Sequence, residues 1–149
     1  MNLDINLEDV ILEEQLIDYI SEIFKVSKKE IASLYSNDNS KKIYFCTNQR
    51  NSGFCFNIQV FLADELSQSR DIKSDFDFAK KMLEKINKDI LITDISILYT
   101  WWLITATGEI FEADEIILKS DSENDLGILI DRTKLKLISE AEVMKAISP

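Results

Sequence analysis

A chain of 149 residues with 46% hydrophobic side chains, 3 Gly and 1 Pro has the size and make-up of one globular domain, which excludes disordered, collagen-like and repeat-array architectures. Its 27 Asp and Glu against 17 Lys and Arg leave a formal charge of −10, so nucleic-acid backbones and anionic membranes are repelled. With no His, Ser-His-Asp and Cys-His nucleophile activation, His-ligated metals and the commonest general base are all lost.

Asp4, Glu8, Asp9, Glu13 and Glu14 interrupt the start of the chain and leave no basic, apolar and small-residue leader, so the expected location is the cytoplasm. Leu7 to Lys25 places Leu12, Leu16, Tyr19, Ile20, Ile23 and Phe24 at three-and-four spacing, which predicts a first helix. Residues 1–24 carry seven acids and no Lys or Arg, and negative charge early in a helix suits its positive end. Ser27-Lys28-Lys29-Glu30 reads as a capping box opening a second short helix to about Ser36. The spacing of residues 16–31 resembles the first helix and loop of acyl carrier proteins, but no Asp-Ser-Leu attachment triplet follows.

After the polar turn at residues 36–40 the pattern changes to period two. Setting Ile43 against Ile58, Phe45 against Phe56 and Thr47 against Phe54 predicts a hairpin turning at Asn48 to Gly53, with Cys46 opposite Cys55 as free, packed thiols. Two cysteines make neither a disulfide framework nor, without His, a zinc site, and a reducing compartment is implied. Ser74 caps a helix from about Asp75 to Lys88, whose Phe78, Ala79, Met82, Leu83 and Ile86 form an apolar stripe.

Ile95 to Thr105 and Glu109 to Leu118 form a second hairpin closed at Thr107-Gly108. With Ala106 opposite Glu109, Leu98, Thr100, Trp102 and Ile104 share the core face with Phe111, Ala113 and Ile117. Ile97, Tyr99, Trp101 and Leu103 then share the other with Glu112, Asp114 and Ile116. Leu126 to Ile130 and Lys134 to Ile138 complete a meander across Asp131 to Thr133, and Ser139 caps a last short helix. The apolar run from Ile95 to Ala106 is shorter than the roughly 20 residues of a membrane span. The expected fold is a single α+β domain over residues 1–149: two N-terminal helices, an antiparallel sheet of about six strands with a central helix, and a short C-terminal helix.

Catalytic material is sparse. Glu109, Glu112, Asp114 and Glu115 could supply an acid and a base at glycosidase spacing, with the two Trp as a sugar platform, but exposed strand-edge acids are ordinarily a solvated face. Asp121, Glu123 and Asp125 alternate as calcium-loop ligands do, yet the central Gly and terminal Glu of such a loop are missing. Isolated Gly53, Gly108 and Gly127 make no phosphate cradle. No enzyme, metal or cofactor is expected.

What remains is charge. Glu109, Glu112, Asp114, Glu115, Asp121, Glu123 and Asp125 face Lys119 alone within residues 109–125, and together with the acidic opening segment they exceed the whole net charge. With Tyr99 and Trp101 as aromatic anchors, these nine residues are the expected contact surface for a strongly basic protein. In size, acidity, lack of His and helix-then-sheet order the chain resembles the immunity proteins of bacterial contact-dependent and polymorphic toxin systems. The resemblance implies a cytoplasmic, non-catalytic inhibitor that binds a cognate toxin, a basic nuclease domain being the expected class, as a monomer or weak dimer. Two alternatives stand beside it: a phage-type inhibitor mimicking DNA, and a small-ligand carrier or sensor whose pocket between sheet and helices has Tyr44, Cys46, Cys55, Asn57 and Gln59 as its polar groups.

Overall fold

The computed structural model describes residues 1–69, 71–117 and 127–148. The helices are α1 (Glu13–Phe24), α2 (Asp64–Ser69), α3 (Asp75–Ile86) and α4 (Glu140–Ile147). The strands are β1 (Asn2–Leu7), β2 (Ile31–Ser33), β3 (Ile43–Gln49), β4 (Phe56–Leu62), β5 (Ile90–Thr93), β6 (Thr100–Ile104), β7 (Ile110–Asp114) and β8 (Lys136–Ile138). Among the described residues they form one eight-stranded sheet in the order β2-β3-β4-β1-β5-β6-β7-β8. It is α+β as expected, but mixed, because β2 runs parallel to β3 while every other pair is antiparallel.

The N-terminus departs most from the expectation of two helices. Residues 2–7 form a strand near the middle of the sheet, with Leu3, Ile5 and Leu7 buried and Asn2, Asp4 and Asn6 alternating with them. The helical stripe starts only at Glu13. The second helix is a single 3₁₀ turn, Lys28–Glu30, in which the Ser27 hydroxyl accepts from the Lys29 N–H at 3.4 Å. The chain then turns into β2 because β3 captures its backbone: the Lys42 N–H donates to Glu30 and the Leu34 N–H to Phe45.

Both hairpins form, but in registers other than those expected. In the first, Ile43 faces Leu62 and Cys46 faces Gln59, a displacement of four residues that moves the turn two residues along the chain and keeps every side chain on its face. Cys55 therefore lies outside the ladder, its carbonyl accepting from Arg50, and the two thiols are not paired across strands. In the second, Thr105-Ala106-Thr107-Gly108 is a turn closed by Gly108 N–H to Thr105 O at 2.8 Å, and Gly108, at φ 90°, adds a bulge. Ile104 then faces Ile110, one residue from the expected pairing, and that single step exchanges the two faces of β7. Of the expected strand from Ile95, residues 95–99 are loop and Thr100–Ile104 is β6, while β5, at Ile90–Thr93, is a strand the spacing did not predict. Of Leu126 to Ile130, the described residues make two isolated bridges, Ile128 to Phe54 and Ile130 to Glu115.

The principal core lies between the helices and one sheet face, where Leu16, Ile20 and Phe24 of α1 and Phe78 and Met82 of α3 meet Ile5, Ile58 and Trp102. Burying each such side chain contributes about 1.5–3 kcal/mol. Lys85 reaches Glu22 and Lys80 reaches Glu140, tying α3 to α1 and to α4. The opposite sheet face is divided. Leu91, Leu103, Ala113 and Phe54 make a small apolar cluster under Ile128 and Ile130, whereas Asp4, Asn6, Asn57 and Gln59 are joined by side-chain hydrogen bonds. Tyr44, Cys46, Asn57 and Gln59 thus lie on the face away from the helices, so they do not line a pocket between sheet and helices.

Candidate functional site

The β7 register decides what the acidic surface looks like. Glu112 and Asp114 face Trp102 and Thr100 across the ladder, while Trp101 faces Ala113. Trp101 and the two carboxylates therefore project from opposite sides of the sheet, correcting the expectation that they share one, and the Gly108 bulge is the cause. Among the described carboxylates Glu115 joins the indole: Trp101 Nε1–H donates to its Oε1 at 3.1 Å. Glu109 sits in the hairpin turn and accepts from the Thr107 hydroxyl at 3.2 Å. Glu112 lies 3.9 Å from Lys136 Nζ, whereas Asp114 is exposed. Asp121, Glu123 and Asp125 lie outside the described residues.

Beside these acids is an apolar end that periodicity did not reveal. Asp94 is 3% exposed, and its Oδ1 accepts from both the Ser96 N–H and hydroxyl while its Oδ2 is buried without a partner. Tyr99 holds φ at 63°. The loop these residues bound turns its side chains outward: Leu98, expected in the core, is 79% exposed and Tyr99 58%, with Ile95 and Ile97 also exposed. The Glu115 N–H donates to Tyr99 O, which sets Ile116 and Ile117 beside the loop, and Ile117 too is exposed rather than buried. Monomers seldom expose so many large apolar side chains together without a partner.

Comparison with protein-family models, curated proteins and solved structures finds no match.

A second feature is a seam in the sheet. β1 and β5 pair only at Asn6 with Leu91 and Leu7 with Ile90, so two four-stranded halves meet at two residues. At the closed end the Asn6 amide donates to Leu91 O at 3.2 Å, and Arg132 forks to Glu8 (2.7 Å) and Asp89 (3.3 Å), the residues flanking the paired positions. At the open end the strands part and the first residue of α3 fills in: Asp75 Oδ1 accepts from the Asp4 backbone N–H at 2.8 Å. Burial pushes the Asp75 carboxyl above its ordinary pKa, a rise that the Asp4 N–H counters and the Asp4 charge reinforces.

This opening is a half-enclosed cleft of about 200 Å³ between sheet and helices, walled by Leu3, Phe76, Ile92, Trp102 and Ile147, with Asp75 inside and Lys73 at the rim. A pocket between sheet and helices therefore exists, built from other residues than those expected. Sequence reading did not find Asp75 as a site residue because Ser74-Asp75 reads as an ordinary helix start; only the unrecognised β1 gives its carboxylate a second role. Among the described residues no group of three or more His, Cys, Asp or Glu is placed to hold a metal ion, and no helix is long and apolar enough to cross a membrane.

Proposed function

We propose that this protein acts by binding, as an immunity-type inhibitor that neutralises a basic toxin domain, with the apolar end at Ile95–Tyr99 as the anchor of the interface. The observation that carries this reading is the pairing of apolar exposure with one-signed charge. Ile97, Leu98, Tyr99, Ile116 and Ile117 are exposed within a stretch, residues 89–117, that holds six carboxylates and no Lys or Arg. A partner with an apolar pocket ringed by Lys and Arg is complementary to it: the apolar side chains supply affinity, and the carboxylates supply steering and partner choice. Glu109, Glu112, Asp114 and Glu115 enter as a rim around that anchor rather than as the contact surface itself.

The test uses this chain as bait in cells of its source, alongside a Leu98→Arg/Tyr99→Arg double variant. A basic protein retained at low salt, released as salt rises and bound at least 30-fold more weakly by the variant supports the reading, since an interface anchor is worth about 2 kcal/mol or more. Toxicity of that protein, relieved by co-expressing the wild type and not the variant, completes it. A partner indifferent to both salt and the double variant overturns it.

A further inference from the structure

We propose that the cleft at the open end of the β1–β5 seam is a binding site for an organic cation on an aliphatic stem, an alkylguanidinium or alkylammonium group, seated with its charge against Asp75. The site is independent of the apolar end, although the two adjoin at Ile95, which lines the cleft.

The shape fits such a group. A volume of about 200 Å³ has room for a short alkyl chain with a charged head protruding to the mouth. Leu3, Ile92 and Ile147 offer apolar wall to the stem. Trp102, 3% exposed, reaches the floor of the cleft with the edge of its indole, whereas Phe76 is fully buried and already carries the Lys80 ammonium 5.1 Å from its ring centroid.

The charge fits as well. Asp75 is held in place by the Asp4 N–H and drawn out of water, with the Asp4 carboxylate raising the negative potential around it. A carboxylate withdrawn from water with no cation against it gains most from a cation that brings its own apolar cover. Lys73 lines the same rim, its backbone N–H donating to Asp77, but its ammonium makes no ion pair with Asp75, so it is a competing charge and not the resident partner. An anion would meet Asp75 and a net charge of −10, and a neutral stem would leave the carboxylate unpaired.

The test titrates n-butylguanidinium into the full-length protein and follows the Trp102 indole N–H resonance. A saturable shift with half-saturation at about 1 mM is expected for a ligand of this size. Asp75→Asn, of the same shape, should weaken it tenfold or more, and Lys73→Ala, at an exposed position, should tighten it several-fold and keep the test informative if the first variant does not fold. n-Butylurea, the uncharged analogue, should leave the resonance unmoved. Equal binding of n-butylurea, no saturable shift, or titrations unchanged by both variants would each overturn the site. Acetyl-Gly-Arg-Gly-amide identifies the source: if it binds as well as n-butylguanidinium, the occupant is an arginine on another chain, and if only the free cation binds, the occupant is a small molecule. Leu98→Arg should leave all these titrations unchanged, which separates this site from docking at the apolar end.

Discussion

Asp75 Oδ1 accepts the Asp4 backbone N–H at 2.8 Å, so a helix's first side chain takes the place a strand partner would hold beside β1. The arrangement satisfies a backbone donor at the cost of drawing a carboxylate out of water. A carboxyl whose folded pKa lies above its unfolded 3.8 holds its proton more tightly in the native state. Its contribution to stability is therefore most favourable below the unfolded value and declines as pH rises through the folded one. Asn at this position keeps an amide oxygen for the Asp4 N–H and removes the titration. Urea midpoints from pH 4 to 7 should show Asp75→Asn gaining on the wild type as pH rises, and parallel curves would contradict the assignment.

Arg132 holds the other end of the same seam. Its two nitrogens reach Glu8, which follows β1, and Asp89, which precedes β5, and its guanidinium stacks 5.7 Å from the Phe54 ring centroid. These side chains are partly exposed, which limits the worth of each pair, so Arg132→Ala should cost about 1 kcal/mol rather than unfold the domain. Arg132→Lys retains the charge but cannot span both carboxylates, and should recover less than half of that loss. Amide exchange at Leu7 and Leu91 should accelerate in both variants ahead of exchange in β3 and β4, because only the seam loses a clamp.

The way periodicity succeeded and failed explains which parts of the site were legible. The stripe of α3, the Leu16 to Phe24 part of the first stripe and the Ser74 and Ser139 caps are local, since a helix satisfies its own backbone, and the structure has them where spacing places them, although α1 starts at Glu13 and not at Leu7 and leaves Leu12 exposed. Alternation in β3 and β4 fixed which side chains face the core, but not the pairing, because a shift of four residues leaves both faces intact. A shift of one does not. A bulge of one glycine moved Glu112 and Asp114 away from Trp101, and the turn sequence alone does not distinguish that bulge from a tighter turn. β1 was hidden because it is short and its last residue, Leu7, also opens the helical spacing that follows it. Without β1 there is no seam, and Asp75, Arg132 and the cleft could not be read.

The two thiols give a chemical check on the first hairpin. Cys46 is 5% exposed, its Sγ lies 3.3 Å from Gln59 Oε1, and burial, with the Asp4 charge, pushes the thiol pKa up. Cys55 is only half-buried, its thiol bonding to Glu8 O at 3.2 Å. Reactivity follows the thiolate fraction and access. Iodoacetamide at neutral pH should therefore label Cys55 first, with Cys46 at least tenfold slower, and mild oxidation should give no Cys46–Cys55 disulfide. Equal labelling, or an intramolecular disulfide in the native state, would restore the register in which the two face each other.

Gly127 and Gly108 separate two reasons for lacking a side chain. At Gly108 the backbone has φ 90° and open space around it, so alanine meets only conformational strain, about 1 kcal/mol. At Gly127 a Cβ would lie 2.4 Å from Phe54 O and 2.6 Å from Ser52 O, both backbone atoms that cannot swing aside. The close approach is what lets the Gly127 N–H donate to Ser52 O and Ile128 exchange bonds with Phe54, fastening residues 127–130 over the small apolar cluster. Gly127→Ala should thus force the two segments apart and cost about 2–3 kcal/mol. It should also expose the Leu91 and Leu103 face, read as new binding of a hydrophobic dye, while Gly108→Ala lowers the urea midpoint without it. A Gly127→Ala variant as stable as Gly108→Ala would mean that the 127–130 segment does not sit against the β3–β4 loop.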